Sequence, residues 1–417
     1  MNENMRILFY KRKIKLRYNN EVILVSAVNN SFIKMSGKSY KIINEIIKSK
    51  QGLSSFKSCF ESLKDYNYIK ELLSLLIANK ILTYEFELEE GFEEISLIIT
   101  RNCNLKCIHC CEDAICGDEN SELSLERWKE IIDIVCSKKI NLITITGGEP
   151  ILRSDFKEIT TYLRKNFTGK IQLLTNGTLI NEKNIKWLCK NIDIISISLD
   201  GYEKELTDKI RGKGSYTKII NGINLLKAYN FEKISISALL PNCREITKEF
   251  DDFCTKLKVR KVQRFLSLSG RAEKNDETIN HIFREYISVN NYELEDNLKK
   301  MGVQIADSCK AYDGKLSIDY LGDIYPCNLI RKNKYCVGNI LEDNNILNNY
   351  KNTKEYLNFN SLKNYELNKC KDCPVNCFCW SCLDDYINTI KDRSKFEERC
   401  KIRKKYLMEK IWDETVD

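Results

Sequence analysis

Cys103-Asn-Leu-Lys-Cys107-Ile-His-Cys110 is the segment of this 417-residue chain whose residue types and spacing can do the most distinctive chemistry. A CxxxCxxC spacing sets three thiolates around one face of an iron–sulfur cluster, and because a cubane has four irons, one corner stays open to a non-protein ligand. Zinc is the competing reading, although structural zinc usually takes four ligands in paired CxxC spacings. A second group reads Cys309-x12-Gly322-x4-Cys327, then Cys370-x2-Cys373-x5-Cys379-x2-Cys382, then Cys400. Zinc ribbons compete with iron–sulfur clusters there, and spacing alone does not separate the two. Gly147-Gly148-Glu149-Pro150, taken by itself, is a turn, since Gly and Pro punctuate turns everywhere.

Elements must position these residues. From Ile95 onward, short apolar strands alternate with amphipathic helices. Strands are expected at Ile95–Thr100, Asn141–Thr146, Lys170–Thr175, Ile192–Leu199, Lys233–Leu240 and Val259–Leu266; the clearest helices are Glu126–Ser137, Phe156–Lys165 and Ile246–Leu257. Such βα units make an α/β fold, a parallel sheet rolled toward a partial barrel with its chemistry on the loops that follow the strands. The cysteine loop follows the first strand, Gly147–Pro150 the second, and Thr175-Asn176-Gly177 the third, while Ser196 to Gly201 closes the fourth. Residues 1–88 have the pattern of a winged-helix-like unit, with strand-like alternation over Arg6–Val25, helical spacing over Tyr40–Lys48 and Asp65–Asn79, and a closing Ile81–Tyr84. Glu85–Glu94, acidic and Gly-containing, is expected to link it to the barrel at 92–302. Beyond a helical stretch at Asp276–Lys300, short strands and cysteine-rich loops form a third domain at 303–417.

Composition narrows the function classes. Lys and Arg number 67 against 59 Asp and Glu, and the +8 balance is interspersed rather than clustered, so nucleic acid is not an expected partner. No apolar run reaches the ~18 residues of a membrane helix, and the N-terminus lacks the uninterrupted apolar core of a signal peptide. A cytoplasmic location without membrane attachment is expected. There, 19 cysteines would not be kept as disulfides, so many should bind metal.

CxxxCxxC after the first strand, with Gly147-Gly148-Glu149-Pro150 one βα unit later, resembles the radical S-adenosylmethionine (SAM) superfamily, whose fold is a partial (β/α)6 TIM-like barrel. The resemblance implies that Cys103, Cys107 and Cys110 are the catalytic set, holding a 4Fe–4S cluster whose open iron is chelated by the SAM amino and carboxylate groups. It places His109 against the adenine, the Gly147–Gly148 backbone close to the methionine ammonium, and the Glu149 carboxylate, next to Pro150, on that charge. Asn176, Ser198 and Asp200 are implied as further polar contacts to SAM. A strand-end Ser or Asp is also a common turn former. Arg211 faces either the SAM carboxylate or solvent.

The C-terminal cysteines resemble the SPASM extension of peptide-modifying radical SAM enzymes, which holds two auxiliary 4Fe–4S clusters and brings the total to three. Carried over, Cys370, Cys373, Cys379 and Cys400 close one cluster, and Cys309, Cys327 and Cys382 hold the other. The family spaces its sixth and seventh cysteines by three residues where this chain has two, which leaves Cys377 as an alternative to its neighbours. With no cysteine just after Cys309, one auxiliary iron is left open unless Cys336 fills it. Several of the remaining cysteines are expected as small buried hydrophobes, while Cys111 and Cys116 adjoin the SAM loop and can touch substrate.

The N-terminal unit resembles the winged-helix element with which maturases of ribosomally made peptides take a leader peptide as an added strand. Arg6, Lys11, Arg12, Lys13, Lys15 and Arg17 favour an acidic leader or merely solvate the strands. The whole resemblance implies a maturase of the sactipeptide or ranthipeptide kind, which forms a Cys thioether in a precursor peptide. It also implies a flavodoxin- or ferredoxin-type electron donor. Carbon–carbon or ether crosslinking, epimerisation and formylglycine formation use the same scaffold. From a different class, an iron–sulfur or zinc winged-helix regulator remains the alternative.

Overall fold

The computed structural model describes residues 1–10, 14–26, 31–85, 91–114, 122–239, 244–264, 269–275, 277–279, 309–362, 370–379 and 382–413. They fall into two compact units. One comprises Met1–Glu90, Leu298–Cys309 and Ser361–Asp417, the other Gly91–Asn297 and Lys310–Asn360. Lys11, Arg12, Lys13, Cys116, Cys243 and most of the helix expected at Asp276–Lys300 lie outside the described residues.

In the unit that opens the chain, β1 (Ile7–Phe9) pairs antiparallel with β5 (Leu82–Tyr84), and β2 (Ile14–Tyr18), β3 (Glu21–Val25) and β4 (Phe32–Ser36) form an antiparallel sheet in that order. Asn19 takes a left-handed backbone, and with Asn20 it makes the two-residue turn between β2 and β3. Helices α1 (Gly37–Ser49) and α2 (Leu63–Ala78) start at Ser36 and Ser62, whose hydroxyls accept from the amides of Ser39 and Asp65 at 3.1 Å each. One sheet face, with Val22, Leu24 and Met35, packs on Tyr40, Ile43 and Ile46 of α1 and on Ile69, Leu73 and Leu76 of α2. On the other face Ile23 and Val25 are also buried; there Phe32 meets Phe378 edge-on at 5.2 Å between ring centres, and Tyr18 meets Trp412 at 5.5 Å. The end of the chain thus completes the core of its beginning. The strand-like stretch expected over Arg6–Val25 is three strands, and β4 falls where no element was expected, because five residues are too few to show alternation.

Six parallel strands carry the second unit: β6 (Phe92–Thr100), β7 (Ile140–Gly147), β8 (Lys170–Thr175), β9 (Ile194–Ser198), β10 (Ile234–Leu239) and β11 (Arg260–Arg264), each hydrogen-bonded to the next. The apolar runs of β6, β9 and β10 are buried on both faces, as parallel strands under helices require, whereas β11 at the sheet edge is Arg-Lys-Val-Gln-Arg. The covering helices are α3 (Leu125–Cys136), α4 (Phe156–Asn166), α5 (Ile185–Asn191), α6 (Lys204–Arg211), α7 (Ser215–Ala228) and α8 (Arg244–Lys256), followed by one turn, α9 (Arg271–Lys274). A hairpin of β12 (Lys315–Ile318) and β13 (Ile324–Tyr325) extends the sheet, with β12 parallel to the outer side of β6. The α/β partial-barrel architecture matches the sequence reading. Its expected linker, Glu85–Glu94, ends inside β6 instead: Phe92 donates its amide to the Lys139 carbonyl at 2.8 Å and pairs with Ile140. Among the described residues, no helix is long and apolar enough to cross a membrane.

Candidate functional site

The cysteine loop leaves β6 at a register shift between Ile98 and Thr100, the kind of irregularity that re-aims a strand end. Its root is held by a residue outside every motif. Arg153, 8% exposed, donates to the Ile99 carbonyl at 2.8 Å and the Leu123 carbonyl at 2.6 Å, and pairs with Asp155 at 2.5 Å and Glu122 at 3.4 Å. Glu122 in turn accepts from the Thr100 hydroxyl at 2.8 Å and the Arg101 amide at 2.6 Å. Gly147 and Gly148 close onto the same root. A Cβ on Gly147, at φ +144°, would lie 2.3 Å from the Thr100 carbonyl oxygen, and one on Gly148 would lie 2.2 Å from that of Asn102. These glycines therefore let two loops meet. Arg153→Ala would strand Glu122, whose side chain is 3% exposed, and is expected to destabilise the fold by about 3–5 kcal/mol, measured as a lower urea midpoint at unchanged slope.

The far side of the loop is gripped from beyond β11. Gly270 has φ +60°, and a Cβ there would meet the Cys110 and Cys111 carbonyl oxygens at 2.7 and 2.6 Å. Arg271 donates its amide to the Cys110 carbonyl at 2.9 Å and its Nε to that of Cys107 at 3.1 Å; Asn275 Nδ2 reaches the Ile108 carbonyl at 3.0 Å. Cys103 and Cys107 are buried and Cys110 half-buried. Burial pushes the Cys103 thiol up to about 12 and raises that of Cys107, against the pull of Arg211, whose Nη1 lies 3.9 Å from the Cys107 sulfur.

Beside the loop, Glu149 is fully buried and caps the end of β8: it accepts from the Thr175 hydroxyl at 2.7 Å, the Asn176 amide at 2.7 Å and the Ile151 amide at 3.2 Å. Burial raises its carboxyl to about 7 despite these donors. Pro150 begins the short turn that Glu149 caps. Asn176 Nδ2 donates to Asn104 Oδ1 at 2.9 Å and lies 3.8 Å from the Cys103 sulfur. Ser198 ends β9, half-buried. Asp200, also fully buried, accepts from the Leu239 amide at 2.8 Å and lies 2.6 Å from Arg211 Nη2 and 3.1 Å from His109 Nε2. Burial alone would raise the Asp200 carboxyl; Arg211 and His109 outweigh it and hold the group well below the usual carboxylate range. Burial keeps His109 neutral by lowering it further than Asp200 raises it. Arg211, 4% exposed, thus faces Asp200 rather than solvent. His109 Nδ1, Arg211 Nε, and Arg264 Nε and Nη2 are buried with no hydrogen-bond partner.

Residues 97–254 match the radical SAM superfamily, and residues 309–374 match the SPASM iron–sulfur cluster-binding domain. This chain is a radical SAM protein with a SPASM domain. It is an enzyme of SAM and 4Fe–4S clusters. Mycofactocin maturase MftC of Mycolicibacterium smegmatis is 29% identical over 264 residues, 59% of this chain and 66% of MftC, so the match spans about two thirds of that relative. Antilisterial bacteriocin subtilosin biosynthesis protein AlbA of Bacillus subtilis is 28% identical over 265 residues, 59% of this chain and 56% of AlbA. The crystal structure of Streptococcus suis SuiB bound to precursor peptide SuiA shares the fold with a TM-score of 0.54 at 19% identity, covering 92% of this chain and 98% of that one.

The radical SAM site fits its cofactors by its donor set. The desolvated Cys103 and Cys107 thiols ionise only beside compensating positive charge, which cluster iron brings, and the Nε donors of Arg211 and Arg264, buried without hydrogen-bond partners, suit a carboxylate-bearing ligand. Among the described residues, no three His, Cys, Asp or Glu side chains, Cys103, Cys107 and Cys110 included, converge on a single-ion position. Beyond the SPASM match, burial pushes the Cys379 thiol up to about 12, and the charges of Cys400, Cys373 and Cys370 add to it. The Asn376 amide holds the Cys370 carbonyl at 3.0 Å, and Arg403 Nε holds that of Cys379 at 2.6 Å. Cys377 is buried, its thiol 3.1 Å from Asn376 Oδ1, and Cys382 caps the helix Leu383–Thr389. Cys327 and Cys336 both lie near Tyr312. Of the unassigned cysteines, Cys254 is buried and Cys59 exposed. The Arg153, Arg271 and Asn275 grips escaped sequence reading; Arg153 follows the Gly-Gly-Glu-Pro turn after Ile151 and Leu152, and that nearness was the available signal.

Proposed function

We propose that this enzyme matures a ribosomally synthesised precursor peptide by joining a substrate cysteine sulfur to a carbon of another residue. The observation that carries this reading is the doubly clamped CxxxCxxC loop beside buried unpartnered donors, in a chain that also groups Cys370, Cys373, Cys379 and Cys400. When bound, SAM and its cluster supply a 5′-deoxyadenosyl radical, a reagent able to take a hydrogen atom from an unactivated carbon. Cys103, Cys107 and Cys110 hold that cluster; His109, Glu149, Asn176, Ser198, Asp200 and Arg211 shape the SAM site around it. Cys370, Cys373, Cys379 and Cys400 hold one auxiliary cluster and Cys309, Cys327 and Cys382 the other. Overall, one C–H and one S–H are lost and one C–S bond forms. The electron that cleaves SAM to methionine comes from a flavodoxin- or ferredoxin-type carrier in the cytoplasm; the hydrogen atom ends on 5′-deoxyadenosine, the thiol proton goes to solvent, and the one electron left over equals the one supplied, so the sum needs no net oxidant.

Leader binding falls to the N-terminal sheet, whose β2 edge presents exposed Lys15 and Arg17, with their charges 5.3 and 5.7 Å from the Tyr40 ring centre. An extended acidic segment added there gains main-chain hydrogen bonds and charge complementarity.

Anaerobic reconstitution should give a brown protein with roughly twelve irons. Co-expressed with its precursor, it should yield peptide lighter by two hydrogens, with a Cys thiol blocked to alkylation. Alanine at Cys309, Cys327 or Cys382 should abolish the crosslink while SAM cleavage persists; a variant that still forms the thioether at full rate overturns the assignment. Retained free thiols in a modified product point instead to a carbon–carbon crosslink, an epimer or formylglycine made from a serine.

A further inference from the structure

The cysteine loop is also tied to the loop that carries Cys327, by groups the proposed chemistry leaves unused. Glu112 follows Cys110 by two residues and Arg331 follows Cys327 by four. Arg331 Nη2 is ion-paired with Glu112 Oε2, the two side chains being 17% and 15% exposed. The pairing spans 219 positions of sequence. Two more contacts run alongside it. The Arg101 guanidinium lies 5.6 Å from the Tyr320 ring centre, and the Leu123 amide donates to the Tyr320 carbonyl at 3.1 Å.

Sheet geometry places the β12–β13 hairpin beside the strand that bears the cysteine loop. β12 pairs directly with β6, β13 returns antiparallel beside β12, and Cys327 comes two residues after β13 ends. The turn between β12 and β13 is stiffened by Asp319, whose Oδ1 accepts from the Leu321 amide at 2.9 Å and the Asp323 amide at 3.1 Å. The register sets the β12–β13 turn beside the end of β6, where Tyr320 meets Arg101 and Leu123; β13 then runs back toward the start of β6, and the Glu112–Arg331 pair ties the stretch after Cys327 to the cysteine loop. A buried ion pair is weak evidence for net stability, since well-packed apolar groups often do as well, but it is directional and specifies one geometry.

We propose that Glu112 and Arg331 are a positioning pair that fixes the loop bearing Cys327 relative to the radical-generating loop. This inference rests on the maturase reading, in which hydrogen abstraction at one loop must be followed by bond formation at the other. A loosened pair lets the substrate radical be quenched before the crosslink closes, so SAM is spent without product.

The test compares Glu112→Gln, Arg331→Met and the double variant in the full chain. Two quantities are read: 5′-deoxyadenosine released, and crosslinked peptide per 5′-deoxyadenosine. Expected are deoxyadenosine release within about 3-fold of the parent, a fall of about 10-fold in crosslink yield in either single variant, and a double variant no worse than the worse single, because partners in one contact are not additive. Arg331→Lys, which keeps the charge but not the planar fork, should be intermediate. Unchanged yield in all variants, or losses that multiply in the double, overturns the proposal. A parent enzyme that cleaves SAM yet crosslinks nothing sinks the maturase reading instead. The pair is then judged by magnetic coupling between the reduced clusters and by thermal midpoints of the cluster-free chain. Altered coupling with non-additive midpoint shifts supports it, and unaltered coupling refutes it.

Discussion

Alanine at Cys107 is expected to abolish SAM cleavage, lower the bound iron by about four and leave the rest of the fold in place. Three thiolates are the minimum that holds a cubane while leaving one iron for SAM, so loss of one removes the cofactor rather than weakening it. A neighbouring cysteine cannot move in. Cys111 is next in sequence to the last ligand, yet the Cys110 carbonyl is held by the Arg271 amide, and the close approach of Gly270 to both carbonyls fixes the chain on either side. Cys107 is further restrained by Arg271 Nε on its own carbonyl. The side chain lost is small, so the apo chain should unfold within about 1 kcal/mol of its parent, the size of a typical point substitution. Iron and acid-labile sulfide content, release of 5′-deoxyadenosine under reduction, and the urea midpoint of the cluster-free protein decide the matter together. Full cleavage activity in Cys107→Ala would remove this loop as the SAM site. Loss of activity together with loss of folding would be answered by Cys107→Ser, which keeps the volume and replaces the sulfur ligand.

The barrel was legible because parallel strands buried on both faces are near-continuous apolar runs. Lys170–Thr175 was placed to the residue, and β6, β7 and β10 to within a few. The cysteine spacing and the Gly-Gly-Glu-Pro turn were legible because each is a local pattern on a loop that follows a strand. What holds that loop was not. Arg153 and Glu122 lie 31 residues apart and Arg271 and Cys107 lie 164 apart, so no periodicity links them. The Cβ positions of Gly147 and Gly148 point at the backbone of Thr100 and Asn102, a contact with another strand's loop that the turn motif alone does not show. Arg211 stands at the end of a strongly amphipathic helix, just before Gly212, where a basic residue ordinarily meets solvent and the helix dipole. Its burial depends on Asp200, which follows β9 in the loop that leads into this helix. Likewise Phe32 and Trp412 belong to one compact unit that no linear domain boundary describes.

Asp200→Ala should be the most destabilising change in the SAM site. It leaves Arg211, 4% exposed, without its counter-charge, removes the acceptor for the Leu239 amide at the end of β10 and frees His109 Nε2. Breaking one side of a buried pair costs about 3–5 kcal/mol, mostly because the surviving charge stays desolvated. The urea midpoint of the cluster-free chain should fall accordingly at unchanged slope. Stability and function can then be separated by a second change. Asp200→Asn combined with Arg211→Met keeps the acceptor for Leu239 and removes both charges, so most of the lost stability should return. SAM cleavage should not return with it. The double variant still lacks the carboxylate that orients His109 and the guanidinium beside the Cys107 sulfur, and losing such outer partners of a metal site costs about 10–100-fold in activity. Recovery of both together would reduce the Asp200–Arg211 pair to a packing element. Recovery of stability alone assigns it to the orientation of the groups around SAM.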